Sequence, residues 1–103
     1  MAGLTLAEFL TARIAEDEAA ARFMMDREAA GLQPRADFLG FPLGERILRE
    51  VEAKRKILAE AQAVRKLLDL TGGEHDRYRD WVLRHLAAVY SEHPDFDPAW
   101  KET

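Results

Sequence analysis

Residues 45–70 read ERILREVEAKRKILAEAQAVRKLLDL, and their spacing decides the fold. Ile47, Val51, Lys54, Leu58, Ala61, Arg65 and Leu68 recur at alternating four- and three-residue steps, a heptad seam along one helical stripe. Ile57, Val64 and Leu67 widen the apolar surface. Glu50 stands four residues before Lys54 and Glu52 four before Lys56, the order of charges that supports a helix. Thr71-Gly72-Gly73 closes the segment.

Working back toward the start, Thr5-Leu6-Ala7-Glu8 has the form of a capping box, in which hydroxyl and carboxylate each satisfy a free backbone N–H. From there to Ala30 the chain is rich in good helix formers, and Leu6, Phe9, Leu10, Ile14, Ala21, Met24 and Met25 fall on one stripe. Gly31 is a natural stop. Residues 31–44 combine Gly31, Pro34, Gly40, Pro42 and Gly44 with Leu32, Phe38, Leu39, Phe41 and Leu43. Punctuation of that kind makes a connector, and two phenylalanines make it one that packs; a short helical turn is expected near residues 35–39.

Toward the other end a third helix is expected over residues 74–92, with Tyr78, Trp81, Val82, His85, Leu86 and Val89 as its stripe and Pro94 enforcing its end. His93-Pro94-Asp95-Phe96-Asp97-Pro98-Ala99-Trp100 reads as two tight turns, with Asp97 before Pro98 placed to cap a last helical turn. The expected architecture is all-α: one domain, 1–103, a three-helix bundle with helices over 5–30, 45–70 and 74–92, an ordered Gly/Pro-rich connector and a folded-down tail, 93–103.

Bulk composition agrees with a small helical domain. Of 103 residues, 48% are hydrophobic and 33% charged, a globular rather than disordered balance. Much of the apolar fraction is alanine, so the core is thin for the chain length and a partner surface would help it. With no cysteine, disulfides and thiolate metal sites are excluded. The first residues have neither a basic segment nor an apolar stretch of signal-peptide type, and no apolar run reaches the ~20 residues needed to span a bilayer. The expected address is the cytoplasm. Net charge is −4; residues 45–70 hold seven Lys or Arg against five Asp or Glu, and the remainder eight against fourteen. That asymmetry argues against nucleic acid as the main partner, and with no spanning run no membrane partner is expected.

Catalytic chemistry has few footholds. Ser91 is the only serine and lacks a nucleophile-elbow context, and Gly72-Gly73 is no phosphate loop, since no strand precedes it and no Lys-Ser/Thr follows. Asp17 lies near the centre of the first helix's stripe, with Arg13 at its edge, and Lys54 and Arg65 lie in the second helix's seam. Charge on an apolar stripe is costly unless paired, so an interhelical ion pair of Asp17 with Lys54 or Arg55 is expected. His85 reads as a hydrogen-bonded core imidazole. Glu74-His75-Asp76 fits a helix start. His93, Asp95 and Asp97 offer one nitrogen and two carboxylates to a divalent cation, yet are also ordinary turn and cap residues; no metal or cofactor is assigned. Phe23 points off the first helix's stripe. Tyr90, Phe96 and Trp100 crowd the end of the chain, where they either pin the tail or, with His93 and Asp95, form a partner-binding face.

Three segments carry a resemblance: residues 9–18 (FLTARIAEDE), residues 46–58 (RILREVEAKRKIL) and residues 86–96 (LAAVYSEHPDF) with Trp100. They resemble an uncharacterised family of short helical proteins, a domain of unknown function from actinobacteria and their phages. The resemblance spans all three helices and the tail and implies no catalytic role. Many members carry Cys and His residues between the second and third helices, suggestive of metal. This chain has no cysteine there, so no metal role carries over.

The functional expectation is a non-enzymatic helical interaction protein, phage-encoded, that binds a host or virion protein and forms a homodimer through the second helix's seam. The alternatives are a DNA-associated regulatory protein and a metal-dependent enzyme using His93, Asp95 and Asp97.

Overall fold

The computed structural model describes residues 3–71 and 76–101, with side chains described outside residues 68–80. Along the chain run α1 (Leu6–Ala29), β1 (Asp37–Phe38), β2 (Phe41–Pro42), α2 (Leu43–Thr71), α3 (Asp76–Ala88) and a closing 3₁₀ turn, Pro98–Trp100. Among the described residues the fold is all-α, three helices with one very small hairpin, drawn out to 55 × 27 × 24 Å.

The capping box forms at α1. Glu8 N–H donates to Thr5 Oγ1 at 3.1 Å, and Thr5 N–H donates to Glu8 Oε1 at 3.0 Å. From this start the stripe turns inward: Leu6, Phe9, Leu10 and Ile14 are buried with Val51 and Leu58 of α2 and Leu83 and Ala87 of α3. The α2 seam is thus buried or half-buried from Ile47 to Ala61, whereas Arg65 is exposed and the side chain of Leu68 lies outside the described residues. Ala21 extends the buried stripe, while Met24 and Met25 are half-buried beside the start of α2. There a Cβ on Gly44 would press into Met25 Cγ and lie 2.9 Å from its Sδ, so only glycine lets the two helices approach this closely.

The connector departs from expectation. Residues 37–42 form an antiparallel hairpin, Asp37 paired with Pro42 and Phe38 with Phe41, rather than a helical turn. Its two turn residues, Leu39 and Gly40, both take positive φ, 52° and 83°. That is the backbone sense of a type I′ turn, whose twist matches paired strands and is incompatible with a right-handed helical turn. Proline is tolerated at Pro42 because a two-strand ladder is all edge. α2 follows at once from Leu43, two residues earlier than expected.

The third helix also differs. It ends at Ala88, and Val89, Tyr90, Ser91, His93 and Phe96 each donate a backbone N–H to the carbonyl three residues back. The residue before Pro94 avoids helical backbone, so the chain tightens into successive turns before reaching it. The face turned inward is Leu83, Leu86, Ala87 and Tyr90, so of the expected stripe Leu86 packs inward while Trp81, Val82, His85 and Val89 are exposed. At 100° per residue a shift of one position turns the stripe by a quarter of the helix, and apolar residues stand on both arcs. Residues 74 and 75, including His75, and the side chain of Tyr78 lie outside the described residues. Among the described residues no helix is long and apolar enough to cross a membrane.

Candidate functional site

Phe9 organises the tail. Its ring is fully buried and meets the edges of Tyr90, His93 and Phe96 at centroid distances of 6.3, 5.8 and 5.9 Å, with the Trp100 ring tilted against it at 5.1 Å. Edge-to-face rings at such separations attract beyond simple burial. The Arg13 guanidinium lies over the same ring, 5.2 Å from its centroid. Arg13 is itself buried, a charge held by a fan of contacts: Nη2 to Glu16 at 2.8 Å, Nη1 to His93 Nδ1 at 2.9 Å, and Nη1 to Asp95 at 3.5 Å. So Tyr90, His93, Asp95, Phe96 and Trp100 come together, and they face α1.

A second polar knot joins α1, α2 and the turn after α3 just beyond this clasp. Tyr90 OH donates to Asp17 Oδ2 at 2.7 Å and accepts from Lys54 Nζ at 3.1 Å, while Lys54 Nζ lies 3.8 Å from Asp17. Burial first, and then the Asp17 carboxylate, push the Tyr90 phenol well above its ordinary value. Arg55 does not reach Asp17. One residue on from Lys54 it is turned by 100° and takes Glu18 instead, through contacts of 2.8 and 3.4 Å. An open groove between α1 and α2 is lined by Glu18, Arg22, Val51, Arg55 and Lys56, with Glu18 bridging both arginines.

The residues considered as metal ligands are occupied otherwise. His93 Nδ1 receives Arg13 and the Asp95 N–H, Asp95 carboxylate meets Arg13, and Asp97 Oδ1 accepts from Ala99 N–H as the cap of the 3₁₀ turn. Among the described residues no group of three His, Asp or Glu is arranged to hold a metal ion. His85 is exposed and lies against Trp81, ring centroids 5.2 Å apart, rather than in the core.

The surface that stands out lies at the opposite end, where α1 leads through the hairpin into α2. Leu39 is 83% exposed, and Phe23, Leu32, Phe38 and Phe41 are exposed with it. Leu39 occupies its left-handed turn position although that conformation costs a residue with a Cβ about 1–2 kcal/mol. The rings are not loose: Arg46 lies 4.7 Å over Phe38 and Arg27 5.6 Å over Phe23, Arg27 Nε donates to Gln33, and Gln33 donates to the Met24 carbonyl. Ala36 N–H donates to Glu28 and Leu43 N–H to the Ala36 carbonyl, tying the hairpin to both helices. The result is a braced apolar end, a knob built on the hairpin. Sequence reading passed over it because hydropathy expects Phe38 and Phe41 to be buried. The usable signal was Leu39-Gly40 between two aromatics, a two-residue turn between possible pairing positions.

No curated protein and no solved structure matches the chain. A family match covers residues 4–102, all of the helices, the hairpin and the tail. The chain thus belongs to the family of unknown function DUF6221.

Proposed function

We propose that this protein is a non-enzymatic interaction module that inserts the hairpin knob, led by Leu39 and Phe41, into an apolar pocket of a protein partner. The observation that carries the reading is the exposure of five large apolar side chains at one braced end, with a leucine kept in a turn position where glycine or asparagine costs less. Aromatic and aliphatic anchors dominate binding energy once a partner's pocket desolvates them. The tail residues Tyr90, His93, Asp95, Phe96 and Trp100 serve in this reading as the clasp that holds α1 and α3 together. The partner is a host or virion protein met in the cytoplasm, which fits a phage or actinobacterial origin. A homodimer through α2 would draw on the later part of that helix, where Val64 and Leu67 are exposed.

Four exposed cations of α1 and α2 stand beside carboxylates, Arg22 and Arg55 with Glu18, Arg46 with Glu50 and Lys56 with Glu52, which weighs against a phosphate-binding face. The test is affinity capture from the native host, with the wild-type chain and Leu39→Asn as parallel baits. A protein retained by the first and lost by the second supports the reading; equal retention of every captured protein removes it.

A further inference from the structure

The contacts of His93 select one tautomer of its neutral ring. Arg13 Nη1 lies 2.9 Å from Nδ1, and the Asp95 backbone N–H donates to the same nitrogen at 3.0 Å. A guanidinium and a backbone amide can only donate, so Nδ1 must offer its lone pair and the ring's proton must sit on Nε2. Nε2 faces Glu16 Oε2 at 3.9 Å. The closed tail therefore fits a neutral imidazole. Adding a proton places it on Nδ1, where it points at two donors, one of them cationic, and both contacts must break.

Those contacts are where residues 93–95 join α1. Beyond them Phe96 and Trp100 pack on the ring of Phe9, which is fully buried. The charged groups facing the imidazole are Arg13 and Glu16 from α1 and Asp95 from the tail itself. Both carboxylates attract an imidazolium, but Glu16 stands at Nε2 and Asp95 is drawn toward Arg13 Nη1, so neither offers an acceptor at Nδ1.

We propose that His93 is a proton-operated latch: the neutral ring holds the tail on α1, and protonation lifts residues 93–101 and uncovers the aromatic surface around Phe9. Histidine is the side chain best suited to such a device, since its ring nitrogen can exchange a lone pair for a proton and so turn an acceptor into a donor. The uncovered surface is distinct from the hairpin knob, and the latch stands whether or not the knob binds a partner.

The experiment uses the full chain carrying Trp81→Phe, which leaves Trp100 as the single tryptophan. Acrylamide quenching of Trp100 is followed from about pH 8 to pH 5, with far-UV circular dichroism as a check that the helices persist. The expected result is a one-proton rise in quenching of about twofold or more, absent in His93→Asn, whose amide oxygen can accept both donors but cannot be protonated. Flat quenching with helices intact overturns the proposal, and so does an equal transition in His93→Asn. Should that variant fail to fold, NMR of the unaltered chain decides. Nitrogen shifts placing the His93 proton on Nε2 at high pH, with Trp100 and His93 signals moving together on acidification, support the latch; a Trp100 signal that ignores the His93 titration refutes it.

Discussion

Leu39→Asn should leave the fold intact and raise its stability, an unusual direction for replacing a leucine. Leu39 sits at φ 52°, a region that costs a branched or bulky L-residue about 1–2 kcal/mol and that asparagine tolerates through local hydrogen bonding. Against that gain stands the burial lost with the side chain. A fully buried leucine contributes about 1.5–3 kcal/mol, and at 83% exposure less than a fifth of that, about 0.3–0.5 kcal/mol, is at stake. The balance is a gain of about 1 kcal/mol, which for a domain of this size is a rise in Tm of about 4–8 °C if the hairpin melts with the bundle. Where the hairpin opens on its own, the gain appears as slower amide exchange at Leu43, whose N–H donates to Ala36 across the hairpin base. Thermal melts and exchange on the same two proteins measure both. A fall of several degrees with faster exchange would mean that Leu39 is packed, and the knob would lose its argument.

Gly44→Ala should destabilise by about 1–2 kcal/mol, because crowding at Met25 outweighs the gain in helix propensity; adding Met25→Ala should remove most of the effect of the alanine in a urea-melt double-mutant cycle. In a Tyr78→Phe background, phenolate absorbance should stay absent past pH ~10 while the chain is folded, since Tyr90 is held protonated by burial and by Asp17. A phenol raised in the fold stabilises fully below the unfolded value, so stability should fall as pH climbs above ~10; a normal Tyr90 titration with intact helices would contradict the Asp17 contact. Glu8, held below its ordinary 4.5 by the Thr5 backbone and hydroxyl, and Glu18, held down chiefly by Arg55, have the opposite sign. Their contribution is present above ~4.5 and lost as pH falls through the folded values, so Glu8→Gln with Glu18→Gln should flatten the acid limb of a urea-midpoint profile.

Local patterns carried much of the fold. Thr5 and Glu8 announced the start of α1 because a capping box is complete within four residues. The α2 seam was readable because Val51 and Leu58 repeat at a helical period over many turns. The hairpin was not, since two residues per strand leave no alternation to detect and Leu39-Gly40 lacks the asparagine or aspartate usual in such turns. The face of α3 was misjudged because Val82 and Val89 are as apolar as Leu83 and Leu86, and periodicity alone does not say which arc meets α1. The clasp is a matter of distance: Tyr90 meets Asp17 across 73 positions and Arg13 meets Asp95 across 82, and no local signal pairs them. Gathering Tyr90, Phe96 and Trp100 at one end of the chain was legible; that they close on Phe9, while Phe38, Leu39 and Phe41 face outward, depends on tertiary packing.

The most direct test of the interaction account is a calorimetric titration of the captured partner against wild-type chain and against Leu39→Asn, both first shown to be folded. A buried anchor residue costs about 2 kcal/mol or more when truncated, so Kd should weaken at least about 30-fold. Equal affinity of the two proteins would place the binding surface elsewhere and contradict the account.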